Sequence, residues 1–282
     1  MKSASALADL RQYLDLLRKE GELVEIPAEV DPRLEAAEVH RRVIAAGGPA
    51  LLFRRIRGAD FPAVTNLFGT ARRVELAFGK RPKELLARAA RLPETLLPPT
   101  AGKLWEHRDL FSVLSHLGLK RSRTAPVLAH LDRPPRLSRL PILTTWSKDG
   151  GAFITLGQVY TEHPDGKGHN LGLYRLHVYD DATTGMHWQI GKGGGFHHAQ
   201  AEAEGKPLAA AVYLGGPPAL ILSAVAPLPE NVGELLLASL LMGEKLPVVQ
   251  SDFSPLPLAA GAEFGLMGSV PPKGRPLEGP LG

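Results

Sequence analysis

The segment Asn170-Leu171-Gly172-Leu173-Tyr174-Arg175 gathers residue types that the sequence otherwise uses sparingly. Only three Asn occur in the 282 residues, and after position 139 the only Arg are Arg175 and Arg275. A guanidinium inside a strand needs a carboxylate partner or an anionic ligand, because burying it alone is costly. A structural salt bridge and a ligand site both meet that need. Glu234 stands where the apolar run Leu235–Leu241 begins. It reads either as a partner of a helix dipole or as a metal ligand. Gly191-Lys192-Gly193-Gly194-Gly195 lets backbone N–H groups approach an anion, or is simply a mobile turn. Its spacing is neither that of a P-loop nor that of a dinucleotide fingerprint. The ten His show no H-E-x-x-H. His197 and His198 are adjacent, so on a helix they diverge by about 100° and are read as surface residues. Trp188, between His187 and Gln189, is read as a core residue in a strand. With no cysteine, disulfides, thiolate metal sites and a cysteine nucleophile are excluded.

These residues need elements to position them. Leu7, Leu10, Leu14 and Leu17 have helical spacing, closed by Glu20-Gly21-Glu22. A short strand follows from Leu23 to Ile26. Asp31-Pro32 opens a second helix that ends at Gly47-Gly48. Strands are expected over Ala50–Ile56 and Ala63–Leu67, and helices over Arg72–Phe78 and Pro82–Ala90. Residues 93–140 are rich in Pro and basic residues and read as a connection, with a short helix around Phe111. Short strands are then expected at Ile154–Tyr160, Tyr174–Tyr179, Met186–Ile190, Ala209–Leu214 and Leu220–Val225. Helices are expected at His197–Glu204 and Gly233–Leu241. Many short strands at this spacing argue for a barrel or sandwich. The uncharged run from Pro207 to Pro229 is long enough to span a bilayer, but Gly215-Gly216-Pro217-Pro218 divides it. It reads as two buried strands around a turn, so no membrane span is expected.

The composition, 44% hydrophobic and 22% charged, is that of a globular protein. The length suits two ordinary domains or one large one. Residues 1–139 hold 25 Lys+Arg and 16 Asp+Glu, a net of +9, whereas residues 140–282 hold 8 and 13, a net of −5. Arg and acids are interspersed along the basic half, without an aromatic or Gly-rich RNA motif, so no nucleic acid is expected. No signal-peptide pattern follows the first Lys, which sets the expectation at cytoplasmic. Asn and Gln are few and Pro is abundant, a weak thermophile signature.

Taken in order, several segments resemble the UbiD family of prenylated-flavin-dependent decarboxylases. They begin at Asp9-Leu10-Arg11 and Glu20–Leu23, and continue through Gly48–Phe53 and Val64-Thr65-Asn66-Leu67-Phe68-Gly69. The most specific are N-L-G-L-Y-R (170–175), T-T-G-M-H-W-Q (183–189), Gly215–Pro229, Ala262-Glu263-Phe264 and Glu278-Gly279-Pro280-Leu281-Gly282. The resemblance implies an α+β protein: an N-terminal α/β domain with connecting segment over 1–120, then a flavin-binding split β-barrel over 121–282. The family's C-terminal domain would be absent.

The resemblance also implies a site. Asn170 and Glu234 match the positions that hold a divalent metal, usually manganese, which bridges to the flavin phosphate; oxygen donors suit that ion. Potassium is a further implied ion. Leu173, Tyr174, Arg175, His187, Trp188, Gln189, Lys192 and Gly193 fall where the family contacts prenylated FMN or FMN. Arg175 and Glu278 are the implied catalytic pair. Two departures stand out. The family's proton-donating acid follows directly after the last Gly of E-G-P-x-G, where this sequence stops. Gly191 also occupies the position where many members carry a His. The implied function is decarboxylation of an aromatic or α,β-unsaturated carboxylic acid, with a flavin prenyltransferase supplying the cofactor. The alternatives are a truncated flavin module, a pseudoenzyme or one part of a split carboxylase. Apolar surface left where a C-terminal domain would dock implies homo-oligomerisation.

Overall fold

A computed structural model describes residues 7–79, 117–166, 168–189, 191, 193–226, 228 and 233–282. The expected helices at Pro82–Ala90 and near Phe111, and the side chain of Lys192, lie outside these residues.

The first unit is a three-stranded sheet, β1 (Leu23–Val30), β2 (Ala50–Ile56) and β3 (Ala63–Thr65), in that order. The β1–β2 pair is parallel and the β2–β3 pair antiparallel. Helix α1 (Leu10–Lys19) starts at Asp9, whose side chain accepts the Gln12 N–H at 2.8 Å. It ends where Gly21 takes φ 73°. Ala50–Phe53 are buried without alternation because both sheet faces are covered. Tyr13 and Leu17 of α1 pack with Ala50, while Leu51 and Phe53 pack with Ala36 of α2 (Glu35–Ala45). Helix α3 (Ala71–Phe78) is capped by Thr70.

The rest of the described chain is built on two antiparallel sheets. One is four-stranded, in the order β13 (Phe264–Val270), β10 (Leu208–Leu214), β6 (Gln158–Glu162), β7 (His169–Leu173). The other is three-stranded, β5 (Phe153–Ile154), β8 (Leu176–Val178) and β9 (Thr184–Met186). Alternation along β6 and β10 separates two cores. Val159 and Val212 meet Ile154, Tyr174 and Leu176 on the side of the small sheet. Tyr160, Ala211 and Tyr213 face α5 (Pro218–Val225) and α6 (Glu234–Met242). Helix α4 (Gly193–Ala203) packs on β6 and β7. A third small sheet joins β4 (Leu119–Ser122), β11 (Leu246–Gln250) and β12 (Pro257–Ala259).

The mixed α+β class is as expected. The strand pairings close no barrel among the described residues; two antiparallel sheets share an apolar layer instead.

Several expectations need correction. Residues 220–225 are helical, not a strand. An apolar run without period does not distinguish the two, and Pro218 at the first helical position favours a helix. Gly215 and Gly216, at φ 71° and 99°, make the turn before it. Ile154–Tyr160 is broken into β5 and β6, and Trp188 lies beyond the end of β9. The strand β7, which carries Asn170, was not foreseen as one. His197 and His198 are buried, not on the surface. His197 Nδ1 lies 2.9 Å from Thr161 Oγ1. Burial, helped by the neighbouring His163 and His169, pushes its pKa down to about 4. No described helix is long and apolar enough to cross a membrane.

Candidate functional site

Two clusters gather the residues singled out in the sequence. The first is carboxylate-centred. Arg175 stands between β7 and β8, and Glu278 lies in the C-terminal segment 103 residues away. The guanidinium donates Nε to Glu278 Oε1 at 2.7 Å and Nη2 to Oε2 at 3.1 Å, a two-pronged fork. His187, just after β9, places Nδ1 2.7 Å from Glu278 Oε2. The backbone N–H of His187 donates to the Arg175 carbonyl at 3.1 Å, which fixes the two residues side by side. Burial works to raise the Glu278 pKa and is the largest single influence. The bonds and charges of Arg175 and His187 outweigh it and hold the group below the ordinary carboxylate value.

Glycines hold Glu278 in place. The chain at Gly279 crosses Gly150 so closely that a Cβ on either would overlap the other's Cα. Gly150 N–H donates to Pro280 O at 2.8 Å, Gly279 N–H to His177 Nδ1 at 3.2 Å, and Gly282 N–H to Asp149 Oδ1 at 3.1 Å. Tyr179 OH donates to Leu277 O at 3.1 Å. Gly150, Asp149 and His177 escaped the sequence reading, because nothing local in the sequence marks a contact across about a hundred residues.

The second cluster lies at the N-terminus of α4. Asn170 is buried on β7, and its Nδ2 donates to Tyr174 OH at 3.3 Å. The same hydroxyl accepts the Gly194 N–H at 3.0 Å. A Cβ at Gly193 would overlap Asn170 Oδ1, and one at Gly194 would lie 2.5 Å from Trp188 Cζ3. The glycine run is therefore what lets a helix N-terminus press against Asn170 and Tyr174. Glu234 is the first residue of α6, and its Oε2 accepts the Leu171 N–H at 3.1 Å, on the edge of β7. It thus both begins a helix and faces the strand that carries Asn170. Among the described residues no cluster of three His, Asp or Glu side chains has metal-binding geometry. The Asn170 amide oxygen and the Glu234 carboxylate are donors of the type a hard cation takes.

Tyr174 and Trp188 link the clusters, edge to face at 5.0 Å. Tyr174 is buried, and Trp188, half-buried, stacks on His198 at 5.8 Å. His187, Trp188, Gln189, Gly191, Gly195 and Glu278 line an open cleft of ≈ 2980 Å³, which Leu52, Phe61 and Met267 also line. Leu173, Tyr174, Asn170 and Glu234 are not among its lining residues, and Arg175, one-third exposed, adjoins it through Glu278. Gly193 is partly buried at the start of α4.

Residues 119–282 match the 3-octaprenyl-4-hydroxybenzoate carboxy-lyase Rift-related domain (UbiD), and residues 14–92 match the N-terminal domain of the same carboxy-lyase. A Chlamydia pneumoniae protein named as one of the subunits of a 4-hydroxybenzoate decarboxylase is 46% identical over 273 residues, 97% of this chain and 46% of that protein. The FMN complex of HmfF, a UbiD-class enzyme from Pelotomaculum thermopropionicum, superposes with a TM-score of 0.81 at 27% identity. It covers 97% of this chain and 57% of HmfF. An evolved dimeric form of HmfF with prFMN gives a TM-score of 0.76 at 28% identity, with coverages of 98% and 60%. The closed form of vanillic acid decarboxylase (ShVdcCD) from Sedimentibacter hydroxybenzoicus gives a TM-score of 0.82 at 27% identity, covering 99% of this chain and 58% of that one. The chain spans about half the length of the relatives it matches.

Proposed function

The chain belongs to the UbiD family, and from that premise we propose that it serves in the non-oxidative decarboxylation of an aromatic or α,β-unsaturated carboxylic acid. The cofactor in this reading is prenylated FMN with a divalent metal, manganese as the family resemblance implies. The observation that carries the reading is the Arg175–Glu278 fork set against a cleft wall made of His187, Trp188 and Gln189.

Asn170 and Glu234 would hold the metal through oxygen atoms. The positive end of α4, with the backbone N–H of Gly193, would meet the flavin phosphate. The chemistry supplied by a bound prenylated flavin is an electron sink for the pair released when carbon dioxide departs. This chain's residues do the positioning. Arg175 keeps Glu278 ionised and fixed with two of its nitrogens, and Nη1 takes no part in that fork. That nitrogen is the one disposed to orient a substrate carboxylate, and Glu278 keeps the guanidinium from swinging away.

A second reading is supported by the name of the Chlamydia pneumoniae relative, which makes that protein one component of its decarboxylase. In it the chain works as one part of a larger assembly, with homo-oligomerisation or a further protein completing the cleft.

The test is to co-produce the chain with a flavin prenyltransferase and identify by mass spectrometry the small molecule released on denaturation. Prenylated FMN is expected. Arg175→Ala should then abolish carbon dioxide release from aromatic and acrylic acids while the circular dichroism spectrum stays unchanged. Full activity in that variant, or no flavin at all in the wild type, would count against the reading.

A further inference from the structure

We propose that His177 and Tyr179 are positioning residues for the Arg175–Glu278 pair, a two-point clamp on the peptide groups either side of Glu278. The effect of the clamp on turnover rests on the decarboxylase reading above. The clamp itself goes beyond that reading, which takes the position of Glu278 as given.

Alternation along one strand sets up the clamp. Successive side chains of a strand point to opposite faces. Leu176 and Val178 of β8 pack into the apolar layer with Ile154 and Val159. His177, flanked by Arg175 and Tyr179 at two-residue spacing, faces the other way, and all three reach residues 277–279. Arg175 takes the Glu278 carboxylate. Tyr179 OH donates at 3.1 Å to Leu277 O, the carbonyl of the peptide before Glu278. His177 Nδ1 accepts at 3.2 Å the Gly279 N–H, the amide of the peptide after it. Both peptide groups that flank the carboxylate-bearing residue are thus held from the strand that follows its guanidinium partner.

The two side chains are themselves held. The His177 ring is buried, stacks on Phe153 at 4.5 Å and meets the Tyr179 ring at 4.8 Å. A Cβ at Gly151 would overlap His177 Nε2, and one at Gly185 would overlap the Tyr179 hydroxyl, so glycine leaves the room each side chain takes. Leu277, by contrast, is 89% exposed, so burial of its side chain does not fix the chain just ahead of Glu278. An imidazole nitrogen that accepts an amide N–H carries no proton, so His177 is neutral, with its proton on Nε2. Holding both flanking peptides restricts rotation of the Glu278 backbone. Its carboxylate then stays where two guanidinium nitrogens and His187 meet it.

Two measurements on the chain without flavin test the clamp. Long-range ¹H–¹⁵N correlation of labelled histidine should show His177 as the Nε2–H tautomer at neutral pH. An Nδ1–H form or a protonated ring would overturn the proposal. Carbon-13 titration should show the Glu278 midpoint rising in Tyr179→Phe, which removes one hydroxyl from a partly exposed ring, and in His177→Phe, which keeps a ring beside Phe153 but no acceptor. His177→Asn, whose Oδ1 can accept the Gly279 N–H, should return it toward the wild-type value. An unmoved midpoint in Tyr179→Phe and His177→Phe would refute the clamp, as would equal midpoints in His177→Phe and His177→Asn. A third measurement uses chain loaded with prenylated FMN. Tyr179→Phe and His177→Phe should each lower kcat, by up to about 10²-fold, with bound flavin unchanged, and His177→Asn should recover most of the loss. An unaltered kcat in both phenylalanine variants would refute the positioning role. No carbon dioxide release from the loaded wild type would instead refute the decarboxylase reading, and the flavin-free midpoints would still decide the clamp.

Discussion

The charge state of one carboxylate governs the cleft wall. Glu278 accepts three hydrogen bonds, two from Arg175 and one from His187. Its pKa lies below the ordinary carboxylate value because those partners outweigh the opposing effect of burial, itself the largest single influence. A group depressed in the folded state contributes stability above its unfolded pKa and loses it as pH falls through the folded value. The expected pH window therefore lies on the acid side of the ordinary carboxylate pKa. Carbon-13 titration of Glu278 should give a midpoint below that value, and Arg175→Ala should move the midpoint upward. An unmoved midpoint would show that the fork does not set the charge. The sequence made this pair legible through the family resemblance of its N-L-G-L-Y-R and E-G-P-L-G segments; composition alone says that a lone Arg in an acidic half needs a partner, but not which of 13 acids supplies it.

At the scale of elements, α4 is the part whose sequence and position pull in opposite directions. Three glycines at a helix start cost stability by their conformational freedom, so alanine would ordinarily gain up to about 1 kcal/mol. At Gly194 that gain is opposed by contact, since a Cβ there would lie 2.5 Å from Trp188 Cζ3 and 2.9 Å from Tyr174 OH. Rings in a packed interior yield poorly, and overpacking of this kind costs about 1–3 kcal/mol. Gly194→Ala should therefore lower the urea midpoint and weaken FMN binding at least about tenfold, the equivalent of ~1.4 kcal/mol. A raised midpoint would mean that helix propensity wins and that the close approach is not needed. The same packing explains why His197 and His198 were misjudged. The periodicity placed a helix there, but only the sheet beneath it buries both rings. It also explains residues 220–225, where uniform apolarity concealed a helix held between the sheet and α6.

Across the whole molecule, many Arg of the basic half are paired at the surface with acids of that same half. Arg18, Arg41, Arg57 and Arg139 each meet one or more carboxylates. Among the described residues one ion pair joins the halves directly: Arg11 of α1 reaches Glu263, just before β13, at 2.8 Å. Phe61 and Phe264 meet edge to face at 4.8 Å on the same seam. Arg11 is 80% exposed, so solvent screens the pair and its worth is about 1 kcal/mol or less. Arg11→Ala should shift the urea midpoint only by that amount. A loss several times larger would show that the seam between the halves depends on this ion pair and not on the aromatic contact.

The sequence by itself determined the family, the mixed α+β class, the order of most elements and the identity of the Arg175–Glu278 pair. It could do so because helix periodicity, turn glycines and motif order are local properties written along the chain. Tertiary structure alone decided the rest. It set Glu278 against Arg175 by crossing Gly150 with Gly279, buried His197 and His198, folded 220–225 as a helix, and buried Tyr174 against Trp188. It also brought His187 Nδ1 to the same carboxylate. Burial and hydrogen-bond partnership are properties of pairs of residues far apart in sequence, and residue type and spacing do not encode which distant partner closes each contact.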